Sequence, residues 1–172
     1  MLNISNPRTT ILEIANSYLG SPSVRYSSAS NGLDPISGFD CSGFVLRVLF
    51  ETKEIFPNLV VPNRIRNANE IFDHLGCSVD PEFALPGDLV FYTRSGKTPS
   101  HVAIFCGYTG AGERVEIGSE GIHGGSVKVR EIIDKQILKR QNAHTIYNST
   151  LIGYKRLVYK IDNHSRWPTR MI

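Results

Sequence analysis

The chain has 172 residues, of which 41% are hydrophobic and 20% charged, and its formal net charge is +3 at pH 7. These values are typical of a globular domain with one hydrophobic core, and they exclude disordered, collagen-like and coiled-coil chains. The small positive excess is spread along the chain without a basic run between aromatic residues, so we expect no nucleic-acid partner. Because no apolar stretch approaches the roughly 18 residues of a membrane helix, we also expect no membrane span.

The N-terminal segment and the cysteines bear on the compartment of the protein. The first twenty residues lack the basic segment and apolar run of a secretory signal. We therefore expect a cytoplasmic protein, one exported by a non-standard route, or one whose leader lies outside this sequence. The three cysteines, Cys41, Cys77 and Cys106, are an odd number without metal-ligand spacing. They predict free thiols rather than a disulfide framework, and no metal site.

The first half of the chain has helical periodicity. A helix is predicted over 9–19, capped by Thr9 or Thr10 and ended by Gly20. Residues 21–38 are rich in Ser, Gly, Pro and Asn and predict a long loop around a short extended piece, 24–26. A second helix is predicted from Cys41, because apolar residues follow it at three, four, seven and eight positions. A third is predicted over 64–75.

After residue 85 the apolar period changes from about 3.6 to 2, which predicts strands. The predicted strands cover 89–92, 101–106, 114–118, a short piece around 127–129, and 151–159. Residues 107–112 predict a hairpin turn, residues 131–147 lean helical, and the tail 160–172 has no period. Helices followed by an antiparallel sheet predict an α+β fold. We find no repeat or linker, so a single domain over 1–172 is expected.

Two residues have the chemistry of a cysteine hydrolase. The segment GFDCSGFV places Cys41 in the first turn of a predicted helix, where backbone N–H groups and the helix dipole would lower the pKa of the thiol. A small buried hydrophobe is an equally good interpretation of Cys41 from its position alone. His101 begins a strand after the polar loop 94–100, and together with a helix-start cysteine it fits the pairing of a nucleophile with a general base.

The segments GFDCSGFV, PGDLVFY and SHVAIFCG, in this order and at about this spacing, resemble the signature of the NlpC/P60 cysteine peptidases. The likeness covers residues 9–158. It implies a papain-like fold, in which the helix bearing Cys41 packs on an antiparallel sheet bearing His101. It also implies a thioester mechanism without a cofactor, acting on peptidoglycan-derived stem peptides, typically between γ-D-glutamyl and a diamino acid. The oligomeric state stays open.

The resemblance implies two substrate-binding residues, and a departure from the family's pattern suggests a third candidate. Asp40 and Ser42 match family positions that help to bind the amino end of the substrate, although Asp40 is an equally good helix N-cap by its chemistry. The family commonly carries Tyr and then Gly-Gly where this chain has Val24 and Ser27-Ser28. Tyr26 lies on the same strand face as Val24 and is predicted either to replace the missing phenol or to pack in the core.

The family usually has a third polar residue, most often His, that orients the imidazole from the next strand. Here that strand is predicted over 114–118, and Glu116 is the expected occupant, because its carboxylate can accept the Nδ1–H bond. A shift of one residue would place Ile117 there instead, and His123 would then reach in from the following loop. Two rival functions remain: another acyl-transfer activity, deamidase or transglutaminase-like, and a non-catalytic wall-binding module. The module is disfavoured because it needs neither Cys41 nor His101.

Overall fold

The structure is a computed structural model that describes residues 6–25, 33–94, 96–121, 124–139 and 146–160, with only the backbone described for 135–139 and 146–148. The helices within these ranges are α1 (Pro7–Ser17), α2 (Cys41–Ile55) and α3 (Ala68–His74). The strands are β1 (Leu33–Asp34), β2 (Gly38–Phe39), β3 (Cys77–Val79), β4 (Leu89–Thr93), β5 (His101–Tyr108), β6 (Arg114–Ser119), β7 (Val127–Glu131), β8 (Lys135–Lys139) and β9 (Ile146–Arg156).

Capping side chains move two helix starts away from their predicted positions. Helix α1 begins at Pro7 rather than at residue 9, because the Asn6 side chain accepts a hydrogen bond from Arg8 N and proline suits the first helical turn. Helix α3 begins at residue 68 rather than 64, because Asn67 and Glu70 form a capping box. Helix α2 begins at Cys41, as predicted.

Seven strands form one antiparallel sheet in the order β3-β9-β4-β5-β6-β7, with β8 paired to β9. The predicted α+β class is therefore confirmed. Residues 131–147, predicted to lean helical, instead contain β8 and the start of β9. That prediction was wrong because the two segments satisfy their backbone groups by pairing with each other. The last strand likewise runs from Ile146 to Arg156 rather than over 151–159.

The two faces of the sheet carry separate apolar clusters. The first face packs against the three helices and includes Val102 and Ile104 of β5. The second face carries a smaller cluster that includes Ala103 and Phe105. Since side chains alternate along a strand, His101 lies on the second face, one residue before a side chain that packs toward the helices.

A buried carboxylate joins α1 to the sheet. Asp88, at the entry to β4, is fully buried. It accepts hydrogen bonds from Arg8 Nη1 at 2.8 Å and from Arg156 Nη2 at 2.9 Å. Leu85 N donates a further bond at 2.9 Å. The arrangement fixes the N-terminal helix and the end of β9 against the strand that leads toward the site.

No helix in the described ranges has both the length and the apolar character needed to cross a membrane. Within the same ranges, no group of three or more His, Cys, Asp and Glu residues is arranged to hold a metal ion.

Candidate active site

A tight hairpin delivers Cys41 to the start of α2. Strands β1 and β2 pair directly before the helix, and Gly38, the first residue of β2, has a φ of +109°. A Cβ atom on Gly38 would lie 2.8 Å from Val24 Cγ1 and 3.0 Å from the Pro22 carbonyl oxygen, so only glycine fits there. From β6, Ser119 Oγ donates to the Phe39 carbonyl at 2.6 Å. The segment preceding the cysteine is therefore held from both sides.

The residues flanking Cys41 form a buried polar cluster with Arg66. Asp40 is the N-cap of α2 and accepts from Gly43 N at 2.7 Å and from Ser42 Oγ at 2.9 Å. Arg66 Nη1 donates to Asp40 Oδ1 at 3.1 Å and to Ser42 Oγ at 3.0 Å, and Nη2 forms a salt bridge with Asp40 Oδ2. The capping role proposed for Asp40 is thus present, and the substrate-binding roles of Asp40 and Ser42 stay predictions.

The thiol of Cys41 is almost enclosed, with the residue 9% exposed. Burial is the largest influence on its pKa and raises it, and the negative charge of Asp40 acts in the same direction. The backbone N–H groups of Val102 and Ser42 donate to the sulfur and, with the charge of Arg94, oppose the increase. The lowered pKa that the sequence predicted is therefore wrong for this arrangement, because desolvation outweighs the helix start.

His101 follows the polar loop and begins β5, directly before the Val102 N–H that contacts the sulfur. Among the contacts between described residues, no hydrogen bond joins Cys41 Sγ to the imidazole. The ring instead lies 5.8 Å from the Tyr92 ring, between centroids, and its Nε2 is 3.1 Å from Arg130 Nη2. Burial and the positive charges of Arg130 and Arg94 lower the pKa of His101 to about 3.

Glu116 lies on the same face of the sheet as His101, and the two side chains share a contact with Arg130. It pairs across the strands with Phe105, and its side chain is buried. Arg130 Nη2 donates to Glu116 Oε1 at 3.0 Å, and the Tyr92 hydroxyl donates to Oε2. Burial raises the pKa of Glu116, whereas Arg130 and Tyr92 oppose that increase. The carboxylate therefore reaches the imidazole through Arg130, and a catalytic role for Glu116 stays a prediction.

Two predicted residues, Tyr26 and His123, lie outside the described residues. Cys77 and Cys106 are free thiols like Cys41. Cys77 is exposed, and burial raises the pKa of Cys106 to about 12. The sequence reasoning missed two arginines, Arg66 and Arg130, since neither lies in a motif. The sequence signal for Arg130 was strand alternation, which places it on one face of β7. That face can be matched to Glu116 only when the register of β6 and β7 is known.

The profile of the NlpC/P60 family matches residues 23–146. Among solved structures, an NlpC/P60 family protein from Bacillus cereus ATCC 10987 shares 22% identity over 87% of this chain and 39% of its own, with a TM-score of 0.57. A lipoprotein-like NLP/P60 family protein from Staphylococcus aureus Mu50 shares 24% identity over 90% of this chain and 42% of its own, with a TM-score of 0.54. NlpC2 from Trichomonas vaginalis shares 18% identity over 91% of this chain and 49% of its own, with a TM-score of 0.55.

No curated protein matches the sequence. The chain spans about two fifths of the length of the first two solved structures. At these identities the structural likeness establishes a shared fold, whereas the family profile covers well over half of the chain and includes both Cys41 and His101. The chain belongs to the NlpC/P60 family.

Proposed function

We propose that this chain is a cysteine hydrolase that cleaves peptidoglycan stem peptides between γ-D-glutamyl and a diamino acid, with Cys41 as nucleophile and His101 as proton acceptor. The observation that carries the proposal is the position of the Cys41 sulfur. The sulfur accepts hydrogen bonds from the backbone N–H groups of Ser42 and Val102, and Val102 directly follows His101 in β5. The choice of substrate class rests on the family to which the chain belongs.

The proposed reaction needs only groups of this chain and water. The thiol proton passes to the imidazole of His101, and the sulfur attacks the amide carbonyl carbon to form a C–S bond. The backbone N–H of Cys41, at the positive end of α2, receives the developing oxyanion. The C–N bond then breaks, and His101 returns the proton to the leaving amine. Water attacks the thioester, releases the acid and restores the thiol.

We propose that the amino end of the substrate binds against Asp40 and Ser42, and the contribution of Tyr26 stays a prediction from the sequence. Both carboxylate oxygens of Asp40 and the hydroxyl of Ser42 already contact Arg66. A substrate ammonium group must therefore share or displace these contacts, and the guanidinium charge disfavours it. Stem peptides whose amino end is acylated, as in intact peptidoglycan, avoid this competition.

Mass spectrometry of purified muropeptides after incubation with the protein tests the proposal. The wild-type protein and Cys106→Ala should yield fragments cut after γ-D-glutamate, and Cys41→Ala should yield none. Cys106 is the matched control because it is also a cysteine that is not fully exposed, and it lies on β5 near the site. Equal cleavage by Cys41→Ala and wild type would remove Cys41 as the nucleophile, and no cleavage by either would contradict a hydrolase of these substrates.

A second candidate is a non-catalytic peptidoglycan-binding module. Two observations favour it: Arg130 contacts the imidazole of His101, and burial raises the pKa of Cys41. Co-sedimentation with insoluble peptidoglycan, combined with analysis of the supernatant, separates the two candidates. A binding module would sediment with the polymer and release no soluble fragment, and Cys41→Ala would bind equally well.

A further inference from the structure

Arg130 reaches from β7 across β6 to touch a residue of β5. The register pairs Arg130 with Glu116 and places Lys128 opposite Gly118. A Cβ atom at Gly118 would lie 2.9 Å from Ala103 Cβ, so glycine lets β6 pack closely against β5 there, and it would lie in ordinary contact, 3.5 Å, with Arg130 Nη2. The guanidinium group therefore passes Gly118 of β6 and contacts the imidazole from two strands away.

One nitrogen of Arg130 contacts both partners. Its Nη2 lies 3.1 Å from His101 Nε2 and 3.0 Å from Glu116 Oε1. A guanidinium group has donors only, so the imidazole nitrogen facing it must accept. A neutral ring that accepts at Nε2 carries its proton on Nδ1. A protonated ring would instead place a second cationic N–H group against the guanidinium.

We infer that Arg130 is the positioning residue of His101: it fixes the proton of the neutral imidazole on Nδ1 and opposes formation of the imidazolium. The inference deepens the proposed function, on which it rests for the role of His101 as proton acceptor. It assigns to β7 the orienting contact that the sequence assigned to Glu116 of β6. Glu116 then acts one step back, as the anchor of Arg130.

The surroundings of Arg130 show that this position is held at a cost. Its Nε atom is buried without a hydrogen-bond partner among the described residues, and a buried unsatisfied donor is unfavourable. The compensation comes from Glu116, which is 3% exposed and also accepts from Tyr92. The contact with His101 is thus maintained by a buried anion that the guanidinium neutralises.

The arrangement has a consequence for the proposed reaction. With Nε2 engaged by a donor and Nδ1 protonated, neither ring nitrogen offers a free lone pair to the thiol proton of Cys41. Proton uptake therefore requires that the Arg130 contact loosens. The resting site therefore holds a neutral thiol and a neutral imidazole rather than a thiolate–imidazolium pair.

Other charged groups also face this region. Arg94 acts on the ring through its positive charge, Glu131 lines the same small cavity as His101 and Arg130, and Lys128 pairs with Glu120 at 2.6 Å. A test must therefore remove the Arg130 charge without changing the net charge. The double variant Arg130→Met with Glu116→Gln does so and leaves no buried unpaired carboxylate. Lys128→Met with Glu120→Gln is the matched control on the neighbouring pair.

The experiment is ¹⁵N NMR of the His101 imidazole across a pH titration, assigned with His101→Gln. We expect wild type and control to carry the proton on Nδ1, with an acceptor signal at Nε2 and a midpoint near the pKa of about 3. In the Arg130 double variant the midpoint should rise by at least one pH unit, a tenfold change in the protonation equilibrium. A mixture of tautomers should also replace the single Nδ1–H form.

A wild-type proton on Nε2 would overturn the inference, and so would equal midpoints in the double variant and wild type. The wild-type tautomer decides the matter even if the double variant does not fold. The readout does not depend on activity. If the proton lies on Nδ1 and the protein cleaves no muropeptide, only the proposed function is contradicted. If the proton lies on Nε2 and the protein does cleave muropeptides, only this inference is contradicted.

Discussion

Replacement of Arg66 by methionine should destabilise the protein by about 3 kcal/mol, because it leaves a buried carboxylate beside the nucleophile without its cationic partner. Asp40 is fully buried, and the Arg66 side chain is 25% exposed. Removing one partner of a buried ion pair typically costs about 3–5 kcal/mol. The donors Gly43 N, at 2.7 Å, and Ser42 Oγ, at 2.9 Å, stay in place and soften the loss. We therefore expect the lower end of that range.

The magnitude can be checked against simple electrostatics. For Arg66 Nη1 and Asp40 Oδ1, 3.1 Å apart, Coulomb attraction at an effective dielectric constant of about 20 is roughly 5 kcal/mol. This figure is an upper bound, because it leaves out the desolvation of both groups. A loss of about 3 kcal/mol corresponds to a fall in Tm of roughly 6–12 °C for a chain of this size.

Urea denaturation followed by circular dichroism measures this free energy of unfolding. Arg47→Met is the matched control, because Arg47 and its partner Glu51 are 43% and 34% exposed, and a pair open to solvent contributes less than about 1 kcal/mol. A double variant, Arg66→Met with Asp40→Asn, should recover much of the loss, since asparagine still caps the helix. Equal losses for Arg66→Met and Arg47→Met would refute the reasoning.

Three further predictions concern ionisation and packing. Burial raises the pKa of Cys41, so alkylation by iodoacetamide should inflect above about pH 8.5, and a lower inflection would indicate a preformed ion pair. The pKa of His101 lies at about 3 in the folded protein and at about 6.5 when unfolded. Unfolding therefore takes up a proton between these values, and stability should fall as pH drops through this window. The full shift corresponds to at most about 5 kcal/mol; His101→Gln should flatten the slope, and identical slopes would contradict the prediction. Asp88→Asn should lower the free energy of unfolding in urea by about 3–5 kcal/mol, because Arg8 and Arg156 lose their shared anion. A loss below about 1 kcal/mol would contradict the role of Asp88 in joining α1 to the sheet.

The sequence predicted the parts of the fold in which local pattern and tertiary position agree. Helix α2 begins at Cys41 because Asp40 caps it and its apolar stripe faces the core. The helical prediction for residues 131–147 failed because the apolar residues there suit a helix or a strand equally well. Only pairing with β9 decides between them. The start of α3 was missed although its capping box, Asn67 with Glu70, could be read from the sequence.

The site itself was predictable only as far as neighbouring strands allow. Alternation placed His101 and Phe105 on one face of β5, and the register then brought Glu116 to that face. Arg130 could not be found in this way, because it approaches from beyond β6. Its contact with His101 depends on the register of β7, which pairs Arg130 with Glu116 and brings its side chain past Gly118.

Two buried acids, each paired with one arginine, act together with burial on the resting charge of the site. Asp40 with Arg66 lies beside the thiol, and Glu116 with Arg130 lies beside the imidazole. Each pair leaves a nearby group facing a like charge: the Asp40 carboxylate disfavours a thiolate, and the Arg130 guanidinium disfavours an imidazolium. Burial raises the pKa of Cys41 and lowers that of His101, so it favours the uncharged form of both the thiol and the imidazole.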